Sequence, residues 1–307
     1  MQANGRAMYR HFLVAAGGTD AAIAAIGHAL EFARSVGARV TFFPACSACD
    51  QDGDEATARN RVMECFVKAE AAARAQGVPC ATISRARTDS GAPTLLTFAA
   101  AARVHGCDLV CASPDMPWTD YGAAAGEPLV PCAIPVLMCA APRHESIDLA
   151  VGALLAGHRA ICAQLHVLLD HTRTAISRGA PLDATALRSL VLALGAVPAL
   201  RHRPGVEESL FPRLRERTST LDAELAELER QHQHEIRLAD ELIDNADAVA
   251  EGSLSLELFE QRLQACARFI WERMGREEGV ILPAARRYLS EADWLDICVA
   301  LSLRGQT

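Results

Sequence analysis

The chain has 307 residues, about two domains' length, and half of it is apolar, so it is neither disordered nor short of core material. Its formal charge is −8 and no basic run stands out, which disfavours nucleic acid and anionic membrane surfaces as partners. No apolar run reaches the roughly 18 residues of a membrane span, and no signal-peptide core precedes the first strand pattern, so a cytoplasmic location is expected.

Residues 8–142 alternate short apolar runs with amphipathic stretches. Strands are expected over 11–16, 39–45, 80–85, 108–112 and 135–140, and helices over 21–36, 56–76 and 93–105. Continuous apolar strands separated by helices predict a parallel sheet covered on both faces. After the second strand, Cys46 and Cys49 form a Cys-x-x-Cys pair that runs into the acidic stretch Asp50-Gln51-Asp52-Gly53-Asp54-Glu55 rather than into a helix. Two thiols fall short of a four-ligand zinc site, so a plain loop competes there with redox or metal chemistry. Cys80, Cys107, Cys111, Cys139, Cys162, Cys266 and Cys298 lie inside apolar patterns and read as small buried hydrophobes.

The β pattern ends near residue 147. Four helical segments are expected at 147–177, 183–217, 218–250 and 254–288, after a linker at Pro142-Arg143-His144-Glu145. Short connections between them suggest an up-down-up-down bundle spanning 146–304. The surplus negative charge sits here, with 18 basic and 25 acidic groups from residue 144 on, against 12 and 13 before it. Each segment offers imidazole or carboxylate groups: His158; His202 with Glu207-Glu208; His232 and His234; Glu277-Glu278. A carboxylate one turn from an imidazole shares its helix face, and that donor pair suits iron, manganese or zinc. The plainer reading of each is a core histidine or a solvated acidic face. One member of each Glu-Glu pair is expected in water, and His234, about 200° around the helix from His232, is expected to be solvated. His166 and His171 read as structural, and Trp118, Trp271 and Trp294 as packing anchors. The chain carries no nucleophile elbow, Walker motif or dinucleotide fingerprint, so no enzyme class is indicated.

His11-Phe12-Leu13-Val14-Ala15-Ala16-Gly17-Gly18-Thr19, Cys107-Asp108-Leu109-Val110 and Ile134-Pro135-Val136-Leu137-Met138 make residues 8–142 resemble a universal stress protein domain. That resemblance implies a flavodoxin-like α/β layer fold and a homodimer formed through the last strand. Members that bind ATP do so with a glycine-spaced loop after the fourth strand. Here the loop reads Ser113-Pro114-Asp115-Met116-Pro117-Trp118-Thr119-Asp120, Gly126 is followed by Glu127-Pro128, and Gly17 stands where the family has aspartate. Proline lacks the N–H that a phosphate needs and aspartate repels it, so ATP is not expected.

Glu207-Glu208-Ser209-Leu210-Phe211-Pro212, then Glu277-Glu278 leading to Leu282-Pro283-Ala284-Ala285, and the trailing Glu291-Ala292-Asp293-Trp294 make the second half resemble the hemerythrin-like (HHE cation-binding) family. The resemblance implies a four-helix bundle around a non-haem iron pair, in some members a sensor of a small diatomic gas. Carried over residue by residue, it implies metal ligands at His158, His202, His232 and Glu277, with Glu207 as a substitute that a distortion at Pro204-Gly205 would bring into place. Val206 and Arg273 stand where the family has glutamate and histidine. An arginine there is a permanent cation that repels a second metal ion and pairs with carboxylates. Three states stay open: a metal pair, a single ion, or no metal with Arg273 supplying the charge. The function expected is a non-enzymatic stress-response binding or sensing protein with a hemerythrin-like non-haem iron site that can be mononuclear. The alternative is a metal-free interaction or dimerisation protein.

Overall fold

The computed structural model describes residues 8–45, 55–84, 94–116, 134–140, 144–179, 183–197, 200 and 205–304, with backbone alone at 55–56, 95, 205–207 and 301–304. The chain divides into two compact units, Met1–Pro142 with Gly275–Pro283, and Arg143–Met274 with Ala284–Thr307.

The first unit is built from β1 (His11–Ala16), α1 (Asp20–Val36), β2 (Arg39–Pro44), α2 (Glu55–Ala75), β3 (Cys80–Thr82), α3 (Leu95–Val104), β4 (Leu109–Ala112) and β5 (Val136–Met138). Every pairing is parallel and the strand order is β3-β2-β1-β4-β5. All six residues of β1 are buried, because its alternate side chains feed two cores. Phe12, Val14 and Phe42 pack with Ala29 and Leu30 of α1 and Ala72 of α2. Leu13, Phe43 and Val110 pack with Phe98 and Ala102 of α3. The two-faced burial behind the parallel-sheet expectation is therefore present. Thr19 caps α1 by accepting from the Ala22 N–H, and Gly37 closes the helix at φ 68°, where a Cβ would be strained. Cys80 is half-buried rather than buried, since β3 is an outer strand. Cys46 and Cys49 lie outside the described residues.

Buried in β1, His11 sits between Thr41 Oγ1 at 2.7 Å and the Gly106 carbonyl at 3.1 Å. Burial, and next the Arg39 charge, hold its pKa below the ordinary 6.5.

Residues 275–283 belong to this unit through two close approaches to helices. A Cβ on Gly275 would lie 2.2 Å from the Lys68 carbonyl oxygen, and one on Gly279 would lie 2.3 Å from the Ala72 Cβ. Within the segment, Glu277–Ile281 form a π turn in which the Leu282 N–H donates to the Glu277 carbonyl. Pro283 accounts for the widening. Its ring clashes with the carbonyl four residues back, and it has no N–H to offer there. That carbonyl belongs to Gly279, and Gln76 Nε2 donates to it instead at 2.8 Å. Lys68, the chain's one lysine, lies 2.9 Å from both Glu278 and Glu64, with all three side chains largely buried. The expectation that one member of the Glu277-Glu278 pair is solvated is therefore corrected: neither is exposed.

The second unit contains α4 (Glu145–Arg178), α5 (Ala184–Gly195), α6 (Gly205–Arg217), α7 (Asp222–Ala250), most of α8 (Leu256–Arg276), most of α9 (Leu282–Tyr288) and α10 (Glu291–Arg304). It is a mostly helical bundle that differs from four uninterrupted segments in two places. Among the described residues the expected helix over 183–217 is broken after Gly195, at Ala196 and Val197 just before Pro198, with Leu200 helical and α6 beginning at Gly205. The last segment is interrupted by the π turn and followed by α10, whose start is a capping box: the Ser290 N–H donates to Asp293 and the Asp293 N–H donates to Ser290 Oγ. Arg217, then Ser290, hold the Asp293 carboxyl below the usual carboxylate range. Among the described residues α4 alone is long and apolar enough to cross a membrane by length and composition. Its buried residues recur at Val151, Leu154, Leu155, His158, Ile161, Cys162 and Leu165, the spacing of a helix with one face in a core. Trp271 and Trp294 are fully buried, and Trp118 lies outside the described residues.

Two outcomes are expected. Gly275→Ala and Gly279→Ala should each lower unfolding free energy by about 1–3 kcal/mol through overpacking, whereas Gly152→Ala, with open space around it, should be neutral or slightly stabilising; denaturant titration measures all three. For His11, the unfolded chain takes up the proton more readily than the folded one, so its contribution is complete above pH 6.5 and is lost as pH falls. The melting temperature should therefore drop more steeply from pH 7 to pH 5 in the parent than in His11→Gln.

Candidate functional site

α7 carries His232 and Glu235 three residues apart, so both leave the helix on one face. α8 carries Arg273. Glu235 and Arg273 have no exposed surface and His232 retains 2%. Arg273 Nε lies 2.5 Å from Glu235 Oε2, and His232 Nδ1 lies 3.6 Å from the same oxygen. One carboxylate oxygen is thus shared between a permanent cation and an imidazole. Taking an ion out of water costs several kcal/mol, and only an opposite charge at close range offsets it. Glu235 is one such charge for the buried Arg273. Neither Glu235 oxygen has a hydrogen-bond partner among the described residues, and neither does His232 Nδ1, so the contact with Arg273 is an ion pair.

Of the residues singled out in sequence, His232 lies in this cluster. His158 is also buried, on the core face of α4. Glu277 is buried at the head of the π turn in the first unit. His202 and the Glu207 side chain lie outside the described residues, and Glu208 is exposed. His234 is half-buried rather than solvated, its ring edge-on to Phe269 at 4.9 Å. His166 packs beside Trp271 with ring centres 5.8 Å apart. Glu235 was not among the expected ligands. The signal for it is present, a His-x-x-Glu spacing on α7, but a frame that looks four residues beyond a histidine passes over the third.

Among the described residues, no group of three His, Cys, Asp or Glu side chains is placed to hold a metal ion. The Arg273 guanidinium lies against Glu235 on the same oxygen that His232 approaches.

In the first unit, the carboxyl end of β1 is where an open parallel sheet usually takes its ligand. A Cβ on Gly17 would lie 3.1 Å from the Ala22 Cβ and 3.5 Å from the Ala45 Cβ, so a longer side chain needs its neighbours to give way. The cavity beside Gly17 and Gly18, with Lys68 and Glu278 in its wall, holds about 20 Å³. That is room for a single water, far below the volume of a nucleotide. Ser113–Met116 of the loop after β4 are described and 117–133 are not.

Residues 149–285 match the family model of the hemerythrin HHE cation binding domain, a match that suggests metal binding in this region. No curated protein and no solved structure matches the chain.

The buried pair makes a strong test. Arg273→Met leaves the Glu235 carboxylate without its countercharge and should cost about 3–5 kcal/mol of stability in denaturant titration. Adding Glu235→Leu should recover most of that loss, because two apolar side chains of similar volume replace both charges.

Proposed function

We propose that the chain is a non-enzymatic, cytoplasmic binding or sensing protein of the stress-response kind. In this reading a universal stress protein-type α/β unit is joined to a hemerythrin-type bundle. The positive charge at the heart of that bundle is Arg273 rather than a pair of iron ions. The observation that carries the reading is the guanidinium 2.5 Å from Glu235 with both side chains fully buried. A guanidinium is planar, always charged and unable to dissociate, so it holds the carboxylate in place at any metal concentration. The parallel sheet in the order β3-β2-β1-β4-β5 supports the stress-protein identity of the first unit. The exposed Leu137 and Met138 on outer strand β5 support homodimerisation through it. Nucleotide is left out of the reading because of the crowding at Gly17 and the small cavity beside it.

A second reading keeps one non-haem iron, held by the imidazoles His158, His202 and His232 with a carboxylate. The match to the cation-binding domain and the burial of His158 and His232 favour it. The two readings separate on one measurement. With Arg273 as the internal cation, a chelator should leave the melting temperature of the purified protein within about 1 °C of its starting value. A resident iron would stabilise only the folded state, so its removal would lower the melting temperature. Val206→Glu combined with Arg273→His should raise iron stoichiometry above that of the parent in elemental analysis, because it restores two donors and removes the repelling charge.

A further inference from the structure

The second unit contains a groove of about 580 Å³ between α7 and α8, which the buried arginine pair does not use. Its origin is legible in the two helices. Leu238 and Leu242 of α7 face Ala265 and Cys266 of α8, and two small residues opposite two leucines leave a hollow. Leu242 and Cys266 are buried and form the floor. Burial, then the neighbouring Glu235 and Glu241, push the Cys266 thiol up to about 12, so the floor is neutral and unreactive. Phe269, edge-on to His234, adds an aromatic wall. The mouth is acidic. Glu241 and Asp244 are exposed and have neither an ion pair nor a hydrogen bond among the described residues. The lining also holds a guanidinium, Arg262, which donates to the Asn245 side-chain oxygen.

We propose that this groove binds a small amphipathic cation, an ammonium-bearing molecule whose aromatic or aliphatic body lies against Phe269, Leu238 and Leu242 while its charged end meets Glu241 and Asp244. The volume falls within the roughly 300–1,000 Å³ of small-molecule sites. The polarity is that of such sites, an apolar floor with a few charges at one end. Two carboxylates that have no partner among the described residues select a positive head group over a negative one.

Calorimetric titration of the full-length protein with phenethylammonium, and with its neutral and anionic counterparts 2-phenylethanol and phenylacetate, tests this. The ammonium should bind with a Kd on the order of 0.1–1 mM, as its few heavy atoms allow. The alcohol should bind at least about tenfold more weakly, and phenylacetate should give no heat of binding. Glu241→Gln with Asp244→Asn, both at exposed positions, should weaken the ammonium about tenfold and erase its preference over the alcohol. Ala265→Trp, also at an exposed position, should fill the hollow and abolish binding while the melting temperature holds. Equal binding of ammonium and alcohol, or binding indifferent to these variants, overturns the proposal. So does a concentration-dependent dimer in sedimentation that Ala265→Trp disperses, since the groove would then belong to a second copy of the chain.

Discussion

A guanidinium cannot shed its charge, and a helical core cannot dissolve it, so wherever Arg273 is buried a carboxylate has to be waiting. Glu235 meets that requirement from the neighbouring helix, and His232 crowds the same oxygen from one turn away. The pairing fixes which face of α7 turns inward, and the inward face then includes Leu228, Ala239 and Leu242. It also sets the electrostatic character of the second unit's centre. The fixed charge that Glu235 and His232 meet there is a covalently attached guanidinium.

The π turn arises from a different constraint. A proline within a helix withdraws one donor and pushes away one carbonyl, and at Pro283 the backbone answers by taking five residues into the turn rather than four. The orphaned Gly279 carbonyl would be costly if buried alone, and Gln76 supplies its hydrogen bond. Glycines at 275 and 279 allow the backbone to approach α2 closely enough for that bond and for the Lys68–Glu278 pair to form. The turn, the close approach and the ion pair depend on one another, and none is explained by a single residue.

The sheet was readable because strands buried on both faces leave continuous apolar runs, and β1 is such a run from His11 to Ala16. The bundle was readable from apolar spacing and from motifs around Leu210-Phe211-Pro212 and Leu282-Pro283. Interruptions within helices were harder, because periodicity continues across them; the expected 183–217 helix carried its prolines in plain sight and still read as one element. Arg273 was legible as a charge foreign to the family pattern and as a partner for carboxylates such as Glu277 or Glu207, but Glu235 was not legible as one, because it stands three residues from His232 rather than four. The fate of Glu278 could not be read locally at all. It depends on Lys68, which lies 210 residues earlier.

Lys68 has one more implication. The chain's single ε-amine is held between two carboxylates with most of its surface covered. Enzymes that acylate or ubiquitinate lysine find almost nothing to act upon here while the first unit is closed. The same scarcity turns the residue into a clean reporter: the speed at which an amine-reactive label reaches it measures how often that part of the molecule opens.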